Sequence, residues 1–415
     1  MKKLLIIFFI TLIIGFAFLG TLNVGTGQTA TLVTGVIDSD TEWTKEYSPY
    51  TLTGNILVSK GVTLTIEDGT TINLNGRYIM VNGTLAAKGT STNQITFQGG
   101  GAYGGKIVFT ESSVGWNEHT EIGSIIDNTH MNQTFLELSG SPRINNNLIE
   151  HSGIDIKDGS PTISNNKFYA SQIEIAGGSP VISGNDLPGG MTAGFEVNYF
   201  TPITIDGGSP VISKNTIYDA EMGIEIKQGN PYIYGNNVSS SQPNIRANAG
   251  LIERNYFEGI IEIGNVTVKN NTINAIMVKG SSSPTIAYNN VVSIHLSSST
   301  NVDATNNWWG TADPAEIDQK IWDYNDDYSL GEVNYTPFLT EPNAQAMPDP
   351  NAPTPTPEQT PTFTPTPPPT SSPSTSPTPS QEPRQTELTA IAGAIIIATI
   401  IGAGLGLLLY LIKRD

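Results

Sequence analysis

A short phrase returns at nearly fixed intervals down the middle of the chain: Gly-Ser-Pro, then an aliphatic residue, then a closing asparagine. It reads GSPRINNN at 140–147, GSPTISNN at 159–166, GSPVISGN at 178–185 and GSPVISKN at 208–215. Looser copies follow as GNPYIYGN at 229–236 and SSPTIAYN at 282–289, with Pro-less versions GLIERN and NVTVKN between them. The closing residues are Asn147, Asn166, Asn185, Asn215, Asn236, Asn255, Asn270 and Asn289, so one unit of about 19 residues is being stacked. A fixed short period means a solenoid, in which each unit buries its apolar face only against its neighbours.

Upstream of each phrase lies a short alternating strand: LEL at 136–138, IDI at 154–156, IEI at 173–175, ITI at 203–205, IEI at 224–226 and IEI at 261–263. Alternation with period 2 sends one set of side chains inward and the other outward. Ile154 and Ile156, Ile173 and Ile175, and Ile224 and Ile226 therefore stack into a core. Ile163, Ile182, Ile212, Ile233, Ile252 and Ile286 occupy a second strand, after the Gly-Ser-Pro turn. The closing asparagine suits a tight bend, because it tolerates the left-handed conformation, and stacked asparagines can bond from coil to coil. Gly, Pro, Asn and β-branched residues, with no 3.6-residue period, exclude a helical repeat.

These residues resemble the right-handed parallel β-helix repeat family over roughly residues 50–310. The family includes pectate lyases and polygalacturonases and also many surface proteins without assigned activity. The resemblance implies an all-β, right-handed parallel β-helix, and it leaves function open because one solenoid hosts many chemistries.

The ends of the chain point to a cell surface. Met1-Lys2-Lys3 precedes an apolar run from Leu4 to Leu19, which reads as a secretory signal within 1–30; an uncleaved N-terminal anchor is the rival. Residues 31–125 read as an N-terminal cap with the first coils, 126–306 as the repeats and 307–340 as a C-terminal cap. Residues 341–386 hold 15 of the 27 prolines, interleaved with Thr and Ser, and form a stalk that cannot bury a core. Residues 387–412 are expected to form a transmembrane helix, since Thr389 to Ile412 is apolar and exceeds the about 20 residues that a span needs. The basic residues Lys413 and Arg414 put the tail, 413–415, in the cytoplasm. Gly402 and Gly406 form a GxxxG pair, a feature of some helix dimers that also arises by accident in a Gly- and Ala-rich helix. With no cysteine, disulfide frameworks and thiolate metal sites are excluded. A net charge of −18 argues against nucleic acid as a partner. Sequons at Asn82, Asn132, Asn237, Asn265, Asn270 and Asn334 are candidate glycosylation sites.

In the C-terminal cap, Asp313-Pro314 starts a helix predicted over 314–322. Ile317, Ile321, Trp322, Trp308 and Trp309 are expected to press on the last coil, the tryptophans alternatively serving as a sugar platform. Asp323, Asn325 and Asp327 begin a Ca²⁺-loop pattern, but Tyr328 stands where that loop needs Gly and Asn334 where it needs Glu. The other reading is a turn closed by its own carboxylates.

Aligning coils by strand gives one outward position per coil: Glu137, Asp155, Glu174, Thr204, Glu225, Asn244, Glu262, Met277 and His295. Coils are about 4.8 Å apart, so the carboxylates repel unless cations compensate. Lys157 and Lys227 lie two residues further on, and Asp206 holds the equivalent place in its coil. Arg143 and Arg246 read as isolated. Three roles remain open for this column: solvated surface, a strip for Ca²⁺ or polysaccharide, and a catalytic groove. Extra residues near 187–201 (with Phe195, Glu196, Tyr199 and Phe200) are expected to loop out and wall the acidic face. Glu137, Asp155, Glu174, Glu225, Glu262 and Tyr199 are the ligand-binding candidates, and Asp155, Glu174 and Glu225 the catalytic ones. The close-set Asp residues of a polygalacturonase and the Arg base with calcium cluster of a lyase are both missing. The expected function is binding or structural, toward extracellular polysaccharide or a surface-layer protein. The alternative is a polysaccharide lyase or glycoside hydrolase.

Overall fold

The computed structural model describes residues 29–193, 196–240, 243–349 and 351, with backbone alone over 191–193 and 196–199. The predicted signal, most of the stalk and the membrane span lie outside the described residues. Among the described residues no helix is long and apolar enough to cross a membrane.

The body is an all-β, solenoid-like stack of parallel strands, compatible with a parallel β-helix. Each coil contributes strands to three faces, as in Arg143–Asn145, Leu148–Glu150 and Gly153–Ile156. The first face is a 14-stranded sheet, so the stack has more coils than the nine outward positions aligned from the sequence. The surplus lies in the N-terminal region, where strands such as Thr63–Ile66 and Thr84–Lys88 pair in the same way without Gly-Ser-Pro turns. The second and third faces join into a 22-stranded sheet, because long strands such as Tyr256–Ile263 and Thr272–Val278 turn the corner between them.

In-register pairing explains the core. Ile154, Ile173, Ile203, Ile224, Ile245 and Ile261 stand opposite one another in successive coils, all but solvent-free. Ile163, Ile182, Ile212, Ile233 and Ile252 form the matching inward column of the first face. An aliphatic stacked on its own kind every coil removes nearly all of its apolar area from water. The Gly-Ser-Pro turn has a steric reason as well: Gly178 has φ +72°, and a Cβ there would lie 2.0 Å from the Gly159 carbonyl oxygen one coil below.

The corner between the first and second faces carries the asparagine ladder. It runs through Asn147, Asn166, Asn185, Asn215, Asn236, Asn255, Asn271, Asn289 and Asn307, all buried. At each step the Nδ2 of one coil donates to the Oδ1 of the next at 2.9–3.0 Å. The same Oδ1 also accepts the backbone N–H of the preceding asparagine, as between Asn185 and Asn215 at 2.9 Å. The second Nδ2 proton goes to a carbonyl one coil back, as from Asn215 to Ile182 at 3.0 Å.

Two expectations are corrected here. The ladder residue is Asn271, not Asn270. The left-handed conformation belongs to the residue before each ladder asparagine: Asn146, Asn165, Gly184, Lys214, Gly235, Arg254, Asn270, Tyr288 and Asn306 have φ between +55° and +66°. The bend and the hydrogen bonding are thus divided between neighbouring residues, and a pair such as Asn270-Asn271 does not show in sequence which does which.

At the C-terminal end a short helix α1 (Pro314–Asp318) is capped by Asp313, whose carboxylate accepts from the Ala315 N–H at 2.9 Å. Residues Ile321–Trp322 return to strand, so the predicted helix is shorter than 314–322. Trp309 and Ile317 are solvent-free and Ile321 is buried, as a cap requires. Trp322 instead faces out, 48% exposed, as the outward partner of His295. Beyond the cap the chain folds back as a strap along the flank. Asn343 donates its N–H to Asn290 Oδ1 at 2.8 Å, and its Nδ2 donates to Asn270 Oδ1 at 3.0 Å. Thr272 Oγ1 donates to the Ala346 carbonyl, and Ala346 is solvent-free. The first residues assigned to the stalk are therefore part of the folded body.

Candidate functional site

The outward column of the third face is built by the same register that builds the core. Glu137, Asp155, Glu174, Thr204 and Glu225 pair coil to coil, and the column continues through Arg246, Glu262, Met277 and His295. Arg246 thus replaces Asn244 in the expected column. Asn244 is buried, with its Nδ2 donating to Ser240 Oγ at 2.9 Å. Arg246 is not isolated: its Nε donates to Glu262 at 2.9 Å and its Nη1 lies 3.4 Å from Glu225. The strand Ile245–Ala247 alternates like its neighbours, but its second inward residue is Ala247 instead of Ile, which masks it in the sequence. Arg143 is likewise paired, with Glu118 at 2.9 Å.

The column divides into two halves. Glu225 and Glu262 are committed to cations: Lys227 lies 3.9 Å from Glu225 and Lys279 lies 3.5 Å from Glu262. Burial alone would raise the Glu262 carboxyl, but Arg246 and Lys279 outweigh it and hold the group below its ordinary value near 4.5. Lys227 also reaches Asp206 at 3.3 Å.

Glu137, Asp155 and Glu174 line a groove of about 410 Å³, the first two also paired with lysines. Its lining also includes Ser152, Gly153 and Ser171 and the aromatic residues Phe135 and Phe200. Lys106 pairs with Glu137 at 3.5 Å, and Lys157 pairs with Asp155. The Asp155 hydrogen bond raises the Lys157 ammonium, with Glu137 and Glu174 adding to the effect. Glu174 is held by Gln172 and has no cation within 4 Å among the described residues. Such a groove offers a row of hydrogen-bond acceptors about 4.8 Å apart, with two aromatic side chains in its lining. Phe135, Lys106 and Gln172 were not singled out from sequence, because each reads as the solvated half of an alternating strand.

The extra residues after Leu187 form an antiparallel hairpin, Gly190–Ala193 with Glu196–Tyr199, outside both large sheets. It leads directly into Phe200, which lines the groove, so the insertion does border the acidic face. Phe195 and the side chains of Glu196 and Tyr199 lie outside the described residues.

In the Asp323 loop, Oδ1 of Asp323 accepts from the Asn325 N–H at 2.9 Å and Oδ2 accepts from the Val333 N–H at 2.9 Å. Asp327 accepts from the Ser329 N–H at 2.9 Å, which depresses its carboxyl. Among the described residues no group of three or more His, Asp or Glu side chains is placed to hold one metal ion. Of the sequons, Asn237, Asn265 and Asn334 are exposed, Asn82 and Asn132 half-buried, and Asn270 is engaged by Glu253 at 3.2 Å and by the strap. No family model matches this chain, and no curated protein or solved structure shows significant similarity to it.

Proposed function

We propose that the chain is a membrane-anchored surface protein. Its body is a right-handed parallel β-helix that binds an extracellular polysaccharide in the Glu137–Asp155–Glu174 groove. The carrying observation is that three carboxylates in consecutive coils line one groove together with Phe135 and Phe200. Sugar hydroxyls donate to carboxylates while sugar C–H faces lie on aromatic rings, and a stack of coils repeats its acceptors as a polymer repeats its residues. Right-handedness follows from the strong preference of parallel crossover connections. The apolar segment 387–412 with its basic tail supports anchoring, and exposed Asn237, Asn265 and Asn334 support display on the glycosylated side. Glu225 and Glu262, neutralised by Arg246, belong to the scaffold.

The test is a glycan array with the full chain in detergent, with and without Ca²⁺, comparing wild type with Asp155→Asn/Glu174→Gln and with Glu225→Gln. The double variant is expected to lose binding by at least about tenfold (1.4 kcal/mol), and Glu225→Gln to keep it. Equal loss in both variants, or no glycan bound by any, removes the groove reading. Release of new reducing ends or unsaturated sugars, lost in the double variant, would convert the site from binding to catalytic.

A further inference from the structure

The two ends of the stack are finished differently. At the C-terminal end, α1, Trp309 and the segment 333–338 cover the last coil. At the other end lies β1 (Thr31–Ile37), which pairs in parallel with β2 (Tyr50–Val58) along one edge and with nothing along the other among the described residues. Leu32 and Val36 point outward, 67% and 63% exposed, while Val33 and Ile37 are only partly buried against the core. A seven-residue apolar strand with a free edge is a template for another strand.

We propose that β1 pairs antiparallel with β1 of a second copy, joining two solenoids end to end about a two-fold axis at Thr34. Pleat parity allows only registers that keep outward residues opposite outward residues. Of these, the one centred on Thr34 uses the whole strand. It sets Leu32 opposite Val36 of the copy, Val33 opposite Gly35, Thr31 opposite Ile37, and Thr34 opposite itself. Both exposed apolar side chains thereby gain an apolar partner, and every contact except that of Thr34 on the axis occurs twice, as a two-fold interface requires. Charge selects the same place. Two copies at −18 repel over most of their surface, whereas Thr31–Ile37 carries no ionisable group. Gly35, with φ +94°, turns β1 from the second face to the third. A two-fold at this corner exchanges those faces, so the sheet continues into the partner coil on both sides of the turn.

The chain has no cysteine, so a single introduced thiol reports the register. Opposed residues in an antiparallel pair have Cα atoms about 4.5–5.5 Å apart, within disulfide reach. Mild oxidation of the full chain in detergent should cross-link Thr34→Cys into a dimer in high yield. Leu32→Cys alone should not cross-link, but should do so when mixed with Val36→Cys. Val36→Lys should abolish cross-linking through Thr34→Cys, and Gly402→Leu in the membrane segment should leave it unchanged. The proposal is overturned if Thr34→Cys and Leu32→Cys cross-link equally, or if cross-linking disappears with Gly402→Leu. It is also overturned if Thr34→Cys stays monomeric and inert to a maleimide, which would mean that the chain's own N-terminal residues cover the edge.

Discussion

The asparagine ladder and the acidic column are repeats of one side chain at one spacing, and they obey opposite rules. An amide carries both donor and acceptor, so it can bond to its own copy one coil away, and a buried column of amides satisfies itself. A carboxylate only accepts, so a column of carboxylates needs donors from elsewhere. The structure supplies Arg246, Lys227 and Lys279 at Glu225 and Glu262. At Glu174 it leaves Gln172 alone. A self-complementary column is thus finished as architecture, while an unfinished one is open to a ligand.

The sharpest break is to make the ladder resemble the column. Asn215→Ala leaves the Asn185 N–H and Nδ2, the Ile182 carbonyl and the Asn236 Oδ1 short of a partner, and should cost about 3 kcal/mol or more in chemical denaturation. Asn215→Asp should be worse at neutral pH, because a buried carboxylate would face the Ile182 and Asn236 oxygens. Its folded-state pKa is then raised above the unfolded value of about 3.9. The lost stability should therefore return as pH falls towards that value, which acid titration of the midpoint would show.

The division of labour within a coil gives the next test. Asn271→Ala should cost about 3 kcal/mol, since its Oδ1 and Nδ2 serve both neighbouring coils. Asn270→Ala should cost less, about 1–2 kcal/mol, from losing the side chain that favours the left-handed backbone and its part-exposed bonds to Glu253 and Asn343. Equal costs would mean that bend and ladder are not separable.

On the outer column, Arg246→Gln should cost about 1 kcal/mol or less, screened because the side chain is 42% exposed. The Glu262 carboxyl is depressed, so its contribution is present above the ordinary value near 4.5 and is lost as pH falls through the lower folded value. The difference between wild type and variant should shrink in acid because wild type loses stability, whereas for Asn215→Asp it shrinks because the variant regains it.

The repeat phrase and the alternating isoleucines made the parallel stack and its core legible, because period and alternation are direct images of coil and pleat. The N-terminal coils were less so, since strands such as Thr84–Lys88 meet their neighbours without the Gly-Ser-Pro turn. Arg246 was hidden by Ala247 at an inward position. The groove combines Phe135 with Phe200, residues that only the hairpin at 190–199 brings together. The strap could not be read because its hold on the body consists of side-chain bonds from Asn270, Thr272 and Asn290, which leave no periodic trace in residues 341–349.

The fold-back has a mechanical meaning. Tension applied to the chain beyond residue 349 does not pass first through the cap. It meets Asn343 on Asn290 and Ala346 on Thr272, one and two coils back from the coil of Trp308, and must shear those bonds before the segment 307–340 bears load. The last coil and α1 are thereby shielded, and the end of a solenoid most easily peeled is spared a pull applied to the chain that follows it.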